Sequence, residues 1–263
     1  MNRTLPLALL LLASGCMRGP WIDRTHTARS QDSRAQFLIL HFTGGTWEGS
    51  LKILTEGPVS SHYLVRDAPV RVLQLVDEDR RAYHAGVSSW KGQTALNAAS
   101  IGIEVQNRGD EKGPDGTVLY HPYPEAQMDA VLALVKDIVA RHQIRPDRIL
   151  GHSDIAPQRK VDPGPLFPWK RLADAGLIPW PDAAAVAARR TTFEAALPDV
   201  AWFQGKLAEH GFEVPRTGQL DPATQRVVSA FQMKYRPARY DGVPDAETAA
   251  ILEVLTTPVV PAS

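Results

Sequence analysis

Gly151-His152-Ser153-Asp154-Ile155-Ala156-Pro157-Gln158-Arg159-Lys160-Val161-Asp162-Pro163-Gly164 sets an imidazole, an ammonium and two carboxylates between positions 152 and 162. The apolar pair before it, Ile149-Leu150, reads as the end of a buried strand. Two glycines and two prolines pin the path of the stretch, which argues against an ordinary helix or strand. A short rigid loop hung from a strand end, with this chemistry, is a site in search of its distant partners.

Outward from the loop, the first partner is another strand end. Phe37-Leu38-Ile39-Leu40 is a continuous apolar run, as expected of a strand buried on both faces, and His41 follows it. Trp47, Leu51 and Leu54 keep helical spacing up to Gly57-Pro58. Ser61 to Val65 and Val70 to Val76 are rich in β-formers and flank a turn, which predicts a hairpin. Ile101-Gly102-Ile103-Glu104-Val105 alternates, so Glu104 faces away from the strand's apolar side chains. Pro124 opens a helix whose stripe is Met128, Val131, Leu132, Val135, Ile138 and Val139, and Arg141-His142 suit its end. Interspersed strands and helices predict a mixed α/β domain, a central sheet flanked by helices, over residues 37–180.

Residues 181–195 are Ala-rich and read as a linker or a short connecting helix. Beyond them a motif repeats at an offset of 24: Gly218-x-x-Asp221-x-x-Thr224 returns as Gly242-x-x-Asp245-x-x-Thr248. In each copy a Gly turn leads to Asp as helix N-cap, followed by apolar residues at matching places. With a helix from about Asp199 to His210, stopped by Gly211, residues 196–263 predict a small all-α three-helix domain.

The 263 residues carry 29 Lys and Arg against 29 Asp and Glu, a balance that gives no support for binding nucleic acid by neutralising phosphates. Arg3 precedes the apolar run Leu5 to Ala13, which is too short to span a bilayer and reads as a signal-peptide core. Leu12-Ala13-Ser14-Gly15-Cys16 resembles a bacterial lipoprotein lipobox, although Ala13 stands where Leu is commoner. That resemblance implies removal of residues 1–15 and acylation of Cys16, the chain's one cysteine. Met17 implies the outer membrane, with the protein lipid-anchored on its periplasmic face and residues 16–36 as a polar tether. The other reading is a plain secretory peptide with an incidental Cys.

His41, His152 and Asp162 have the donor types that zinc takes, and neighbouring strands could bring them together. With eight histidines in the chain, that spacing alone is weak evidence. Taken together, however, Leu38 to Thr43, Ser61-His62-Tyr63, His84-Ala85-Gly86, Ser100 to Asn107 and the opening loop resemble the zinc N-acetylmuramoyl-L-alanine amidases of the amidase-2 family. Gln158 departs from the family's pattern, standing where many members have Gly.

The resemblance implies Zn2+ held by His41, His152 and Asp162, with Glu104 as general base and Lys160 beside the developing oxyanion. It implies a peptidoglycan or muropeptide substrate, cut at the amide between N-acetylmuramic acid (in its 1,6-anhydro form as well, or not) and L-alanine. His84, Trp90 and Asn97 lie on a loop that borders the substrate groove in the family. Thr217 to Thr224 and Ala230-Phe231-Gln232 resemble the peptidoglycan-binding-domain-1 module. Two other readings share these motifs: a peptidoglycan recognition protein that does not cut, and a metallopeptidase acting within the stem peptide. Oligomeric state is not legible.

Overall fold

The computed structural model describes residues 20–115 and 117–257. The signal-peptide run and Cys16 lie outside the described residues. Residues 20–32 carry no helix or strand, and the folded unit begins at Ser33, so the last four residues of the expected tether belong to it. No described helix is long and apolar enough to cross a membrane.

The elements run β1 (Phe37–Phe42), α1 (Trp47–Glu56), β2 (Tyr63–Arg66), β3 (Arg71–Gln74), β4 (Ser89–Trp90), β5 (Gln93–Thr94), β6 (Ser100–Val105), β7 (Asp110–Lys112) and β8 (Val118–Tyr120). Then come α2 (Glu125–His142), β9 (Ile149–Gly151), α3 (His152–Ile155), α4 (Trp169–Asp174), α5 (Ala183–Ala195), α6 (Val200–His210), α7 (Pro222–Tyr235) and α8 (Ala246–Thr256). The main sheet has the order β3-β2-β6-β1-β9. Strands β2, β6, β1 and β9 are mutually parallel, and β3 closes the predicted hairpin antiparallel to β2. Strands β4–β5 and β7–β8 form two small antiparallel ribbons, which the sequence pattern did not signal.

Alternation along β1 sorts its residues between two cores. Leu38 and Leu40 join Ile101, Ile103 and Val105 of β6 and the α2 stripe of Met128, Val131, Val135 and Ile138. Phe37 and Ile39 point to the opposite face, where Leu150 and Ile155 meet Phe203, Leu207, Val227 and Phe231 of the C-terminal helices. Burial on both faces is what the unbroken apolar run demanded.

The C-terminal helices are therefore a layer of the same fold. Asp199, Asp221 and Asp245 cap α6, α7 and α8 by accepting the backbone N–H of Trp202, Thr224 and Thr248. Gly211 ends α6 at φ 143°, and a Cβ there would lie 2.7 Å from the Trp90 ring. Residues 183–195, expected as linker or connecting helix, form α5, which starts at the N-cap Asp182 and packs along α8. The opening loop departs from its reading at its start, since Gly151 closes β9 and His152–Ile155 make the single helical turn α3.

Candidate metal centre

Parallel pairing gathers the distant residues at one edge of the sheet. His41 on β1 lies opposite Glu104 on β6. Leu40 lies opposite Gly151 on β9, so His152 follows directly beside His41. Open α/β sheets place their ligand sites at this carboxyl edge.

His41 Nδ1 lies 3.0 Å from His152 Nδ1 and 3.0 Å from Asp162 Oδ2, and the last two atoms are 3.1 Å apart. All three residues are buried. Donors about 2.0 Å from a tetrahedral ion stand roughly 3.3 Å apart, so this triangle needs only a slight opening to fit one. Three protein donors leave one further position, the count of a catalytic rather than a structural zinc site.

The far side of each imidazole is also fixed. His152 Nε2 lies 3.1 Å from the carbonyl of Ala85. His41 Nε2 lies 3.0 Å from His84 Nδ1, and His84 Nε2 lies 3.1 Å from Ser100 Oγ, which donates to the carbonyl of Leu96. With Nδ1 of His41 and His152 turned to the donor triangle, one proton arrangement satisfies these three contacts: each histidine donates from Nε2, and His84 accepts at Nδ1. Room for the His84 ring comes from Gly102, where a Cβ would lie 2.6 Å from it.

Burial, aided by the neighbouring His152, brings the His41 pKa down to about 4. Burial also holds His84 well below the ordinary histidine value. Burial alone would raise Asp162, but His152 and His41 overcome it and keep its carboxyl below the ordinary value. The lowered pKa values of His41 and Asp162 favour the deprotonated donors that a divalent cation binds.

A cavity of about 240 Å³ opens over the triangle, between Phe42, Thr43, Ile53, Leu54 and Tyr83. Glu104 lines it, and its buried Oε2 has no hydrogen-bond partner among the described residues. Burial first, then the charge of Asp162, raises the Glu104 pKa well above the ordinary value, while Lys160 opposes the shift. Lys160 lines the same cavity. An orphaned carboxylate and an ammonium facing one cavity beside three converging donors can polarise, deprotonate and stabilise a bound carbonyl compound.

The three residues expected on the substrate groove divide. His84 reaches the cavity, but both ring nitrogens are engaged in orienting His41. Asn97 Oδ1 accepts the backbone N–H groups of His84 and Ala85, so its amide shapes the loop. Trp90 lies apart from the other two: it is 2% exposed, its Nε1–H donates to the carbonyl of Asp147, and its ring packs on His210 and Phe212 beneath the C-terminal helices. It is not among the residues that line the cavity over the triangle. Ser100 and Arg159 were not singled out beforehand. The Arg159 guanidinium donates to the carbonyls of Ala85 and Val87 and so clamps the His84 loop to the loop that carries His152 and Asp162.

Fold and donor set together give a site that could hold a metal ion at the carboxyl edge of a mixed sheet. Residues 31–165 match the N-acetylmuramoyl-L-alanine amidase family, and residues 197–252 match a peptidoglycan binding domain family. The chain is 42% identical to the N-acetylmuramoyl-L-alanine amidase AmiD of Escherichia coli (strain K12), over 95% of each protein. The structure resembles that of E. coli AmiD in complex with the substrate anhydro-N-acetylmuramic acid-L-Ala-D-gamma-Glu-L-Lys, with a TM-score of 0.80 over 89% of this chain and 93% of that one. It resembles AmpDh3 of Pseudomonas aeruginosa in complex with anhydromuramic pentapeptide, 38% identical, with a TM-score of 0.82 over 89% of this chain and 96% of that one. The chain belongs to the N-acetylmuramoyl-L-alanine amidase family.

Proposed function

We propose that this chain uses zinc to hydrolyse the amide between N-acetylmuramic acid, the 1,6-anhydro form included, and the L-alanine of the stem peptide in peptidoglycan or its fragments. The observation that carries this reading is the convergence of His41, His152 and Asp162 beside the unpartnered Glu104 carboxylate. Membership of the amidase family supplies the bond.

When bound, zinc supplies a Lewis acid that polarises the scissile carbonyl and makes water acidic near neutral pH. Glu104 takes the proton of the attacking water and passes one to the departing amine of L-alanine. Lys160 sets a positive charge toward the oxygen on which negative charge develops. The His84–Ser100 relay holds His41 in one tautomer and one orientation.

A recognition protein that does not cut has no use for a complete donor set with a free carboxylate beside it, which favours the enzyme. Digestion of sacculi with product masses separates the readings: an amidase frees whole stem peptides, a metallopeptidase frees fragments of them, and a binder frees neither.

The lipobox-like Leu12 to Cys16 supports a lipoprotein anchored on the periplasmic face of the outer membrane, with the C-terminal helices engaging the wall. Cys16→Ser would then release the protein into the soluble periplasmic fraction. A serine variant that stays in the membrane fraction contradicts the anchor.

A further inference from the structure

Helix α7 of the C-terminal layer sends one ammonium group into the amidase half of the fold. Lys234 is 4% exposed, and its Nζ donates to Asp154 Oδ2 at 2.7 Å and to the carbonyl of Ile149 at 3.3 Å. The same Nζ lies 4.3 Å from the ring centroid of Trp169. Those three partners come from α3, β9 and α4. Asp154 Oδ2 also accepts the backbone N–H of Gly151 at 2.8 Å, so one oxygen ties Lys234 to the residue before the ligand His152. One residue beyond that ligand, the N–H of Ser153 donates to the carbonyl of Asp162 at 2.8 Å, which joins the turn to the other loop ligand.

A second link lies at the outer end of the loop. Gln158 Nε2 donates to the carbonyl of Ala223 at 3.0 Å, and Arg226 Nε donates to Gln158 Oε1 at 2.8 Å. This is the position where the family commonly has Gly, whose missing side chain could make neither bond. Between the two links, Ile155 and Ala156 pack in one apolar cluster with Val227 and Phe231.

We propose that Lys234 is a positioning residue of the metal centre: its buried ammonium, carried by the C-terminal helical layer, holds the Gly151–Asp162 loop in the register that brings His152 and Asp162 to His41. The inference rests on the metal reading of that triad. Buried ion pairs are poor sources of net stability, because desolvation offsets most of the attraction, but they fix geometry when every partner is satisfied. Here the geometry fixed is that of two ligands, and outer contacts of ligands commonly tune metal affinity. The C-terminal layer thus completes the metal site, whatever it binds on its outer face.

The test measures zinc affinity by chelator competition on the full chain, together with the absorption spectrum of the cobalt-substituted protein and thermal unfolding. For Lys234→Met the zinc dissociation constant should rise about 10- to 100-fold and the cobalt spectrum should shift, with the protein folded at the assay temperature. Lys234→Arg should recover part of the loss, and Arg226→Ala should weaken binding less than about 10-fold. Phe203→Leu, which removes volume from the shared apolar core while both polar links stay intact, should lower the melting temperature and leave zinc affinity unchanged.

Folded Lys234→Met with wild-type zinc affinity and cobalt spectrum overturns the proposal. So does a Phe203→Leu protein that loses as much zinc affinity as Lys234→Met, since the cause would then be general loosening. If Lys234→Met does not fold, unchanged zinc affinity in both Lys234→Arg and Arg226→Ala overturns it. Wild type that binds no zinc sinks the proposed function itself, a result distinct from all of these.

Discussion

Strand β1 shows two faces that share a backbone and little else. Of its even-numbered residues, Leu38 and Leu40 are wholly buried in the apolar cluster on the α2 side, and Phe42 packs against that cluster and reaches the cavity at the strand's end. Its odd-numbered residues begin the same way, with Phe37 and Ile39 under the C-terminal helices, and then change character at His41. Period-two alternation thus lets one strand serve as core on one side and as ligand platform on the other. The lesson is separability: changes on the even face should act on stability, and changes at the end of the odd face on metal and rate.

The sharpest way to break that comparison is Asp162→Ala. It removes one of three donors, so bound zinc should fall from about one per chain to near none and turnover should become undetectable. A variant that keeps stoichiometric zinc would dissolve the donor triangle. Next in size is Lys160→Ala, expected to keep zinc and lose about 10²- to 10³-fold in kcat, as for one oxyanion-stabilising group. An unchanged kcat removes Lys160 from the mechanism.

On the even face, Leu40→Ala should cost about 2–5 kcal/mol in denaturant unfolding, while zinc affinity of the folded protein stays the same. Loss of zinc binding in that folded variant would mean that the faces are not separable.

A further effect concerns acid stability. His210 lies in a cage of Trp90, Phe212, Phe231 and Tyr235. Burial, then the charges of Lys234 and Lys91, lowers its pKa to about 3, and Asp147 opposes the shift only weakly. The folded state therefore binds fewer protons at this group than the unfolded state between about pH 6.5 and 3. Stability is lost as pH falls through that window, by up to about 1.4 kcal/mol per pH unit. His210→Phe should flatten this limb in pH-dependent melting, and an unchanged slope would contradict the cage.

Much of this was legible beforehand. The strands that finish within one residue of His41 and Leu150, the face of Glu104, the N-caps Asp221 and Asp245 and the clustering of His41, His152 and Asp162 follow from local periodicity, capping chemistry and the amidase motifs. What escaped was tertiary. A tryptophan on a loop between glycines reads the same whether it faces a sugar or a helix layer, and only the fold shows Trp90 beneath α6. Lys234 reads as one more helical charge until α7 is laid across the metal loop. Asp154 reads as a turn carboxylate, which it is, but the sequence does not reveal its partner 80 positions away. The C-terminal layer looked like an appendage because its repeat is self-contained, whereas its apolar stripe is shared with β1 and β9.

The most direct test of the central claim compares Glu104→Gln with wild type for two quantities in the same preparation: bound zinc, and release of stem peptide from a muramyl-peptide substrate. Equal zinc and a rate lower by about 10²- to 10⁴-fold are expected, because the donors are intact and the proton carrier is gone. Wild-type turnover in Glu104→Gln would contradict the claim.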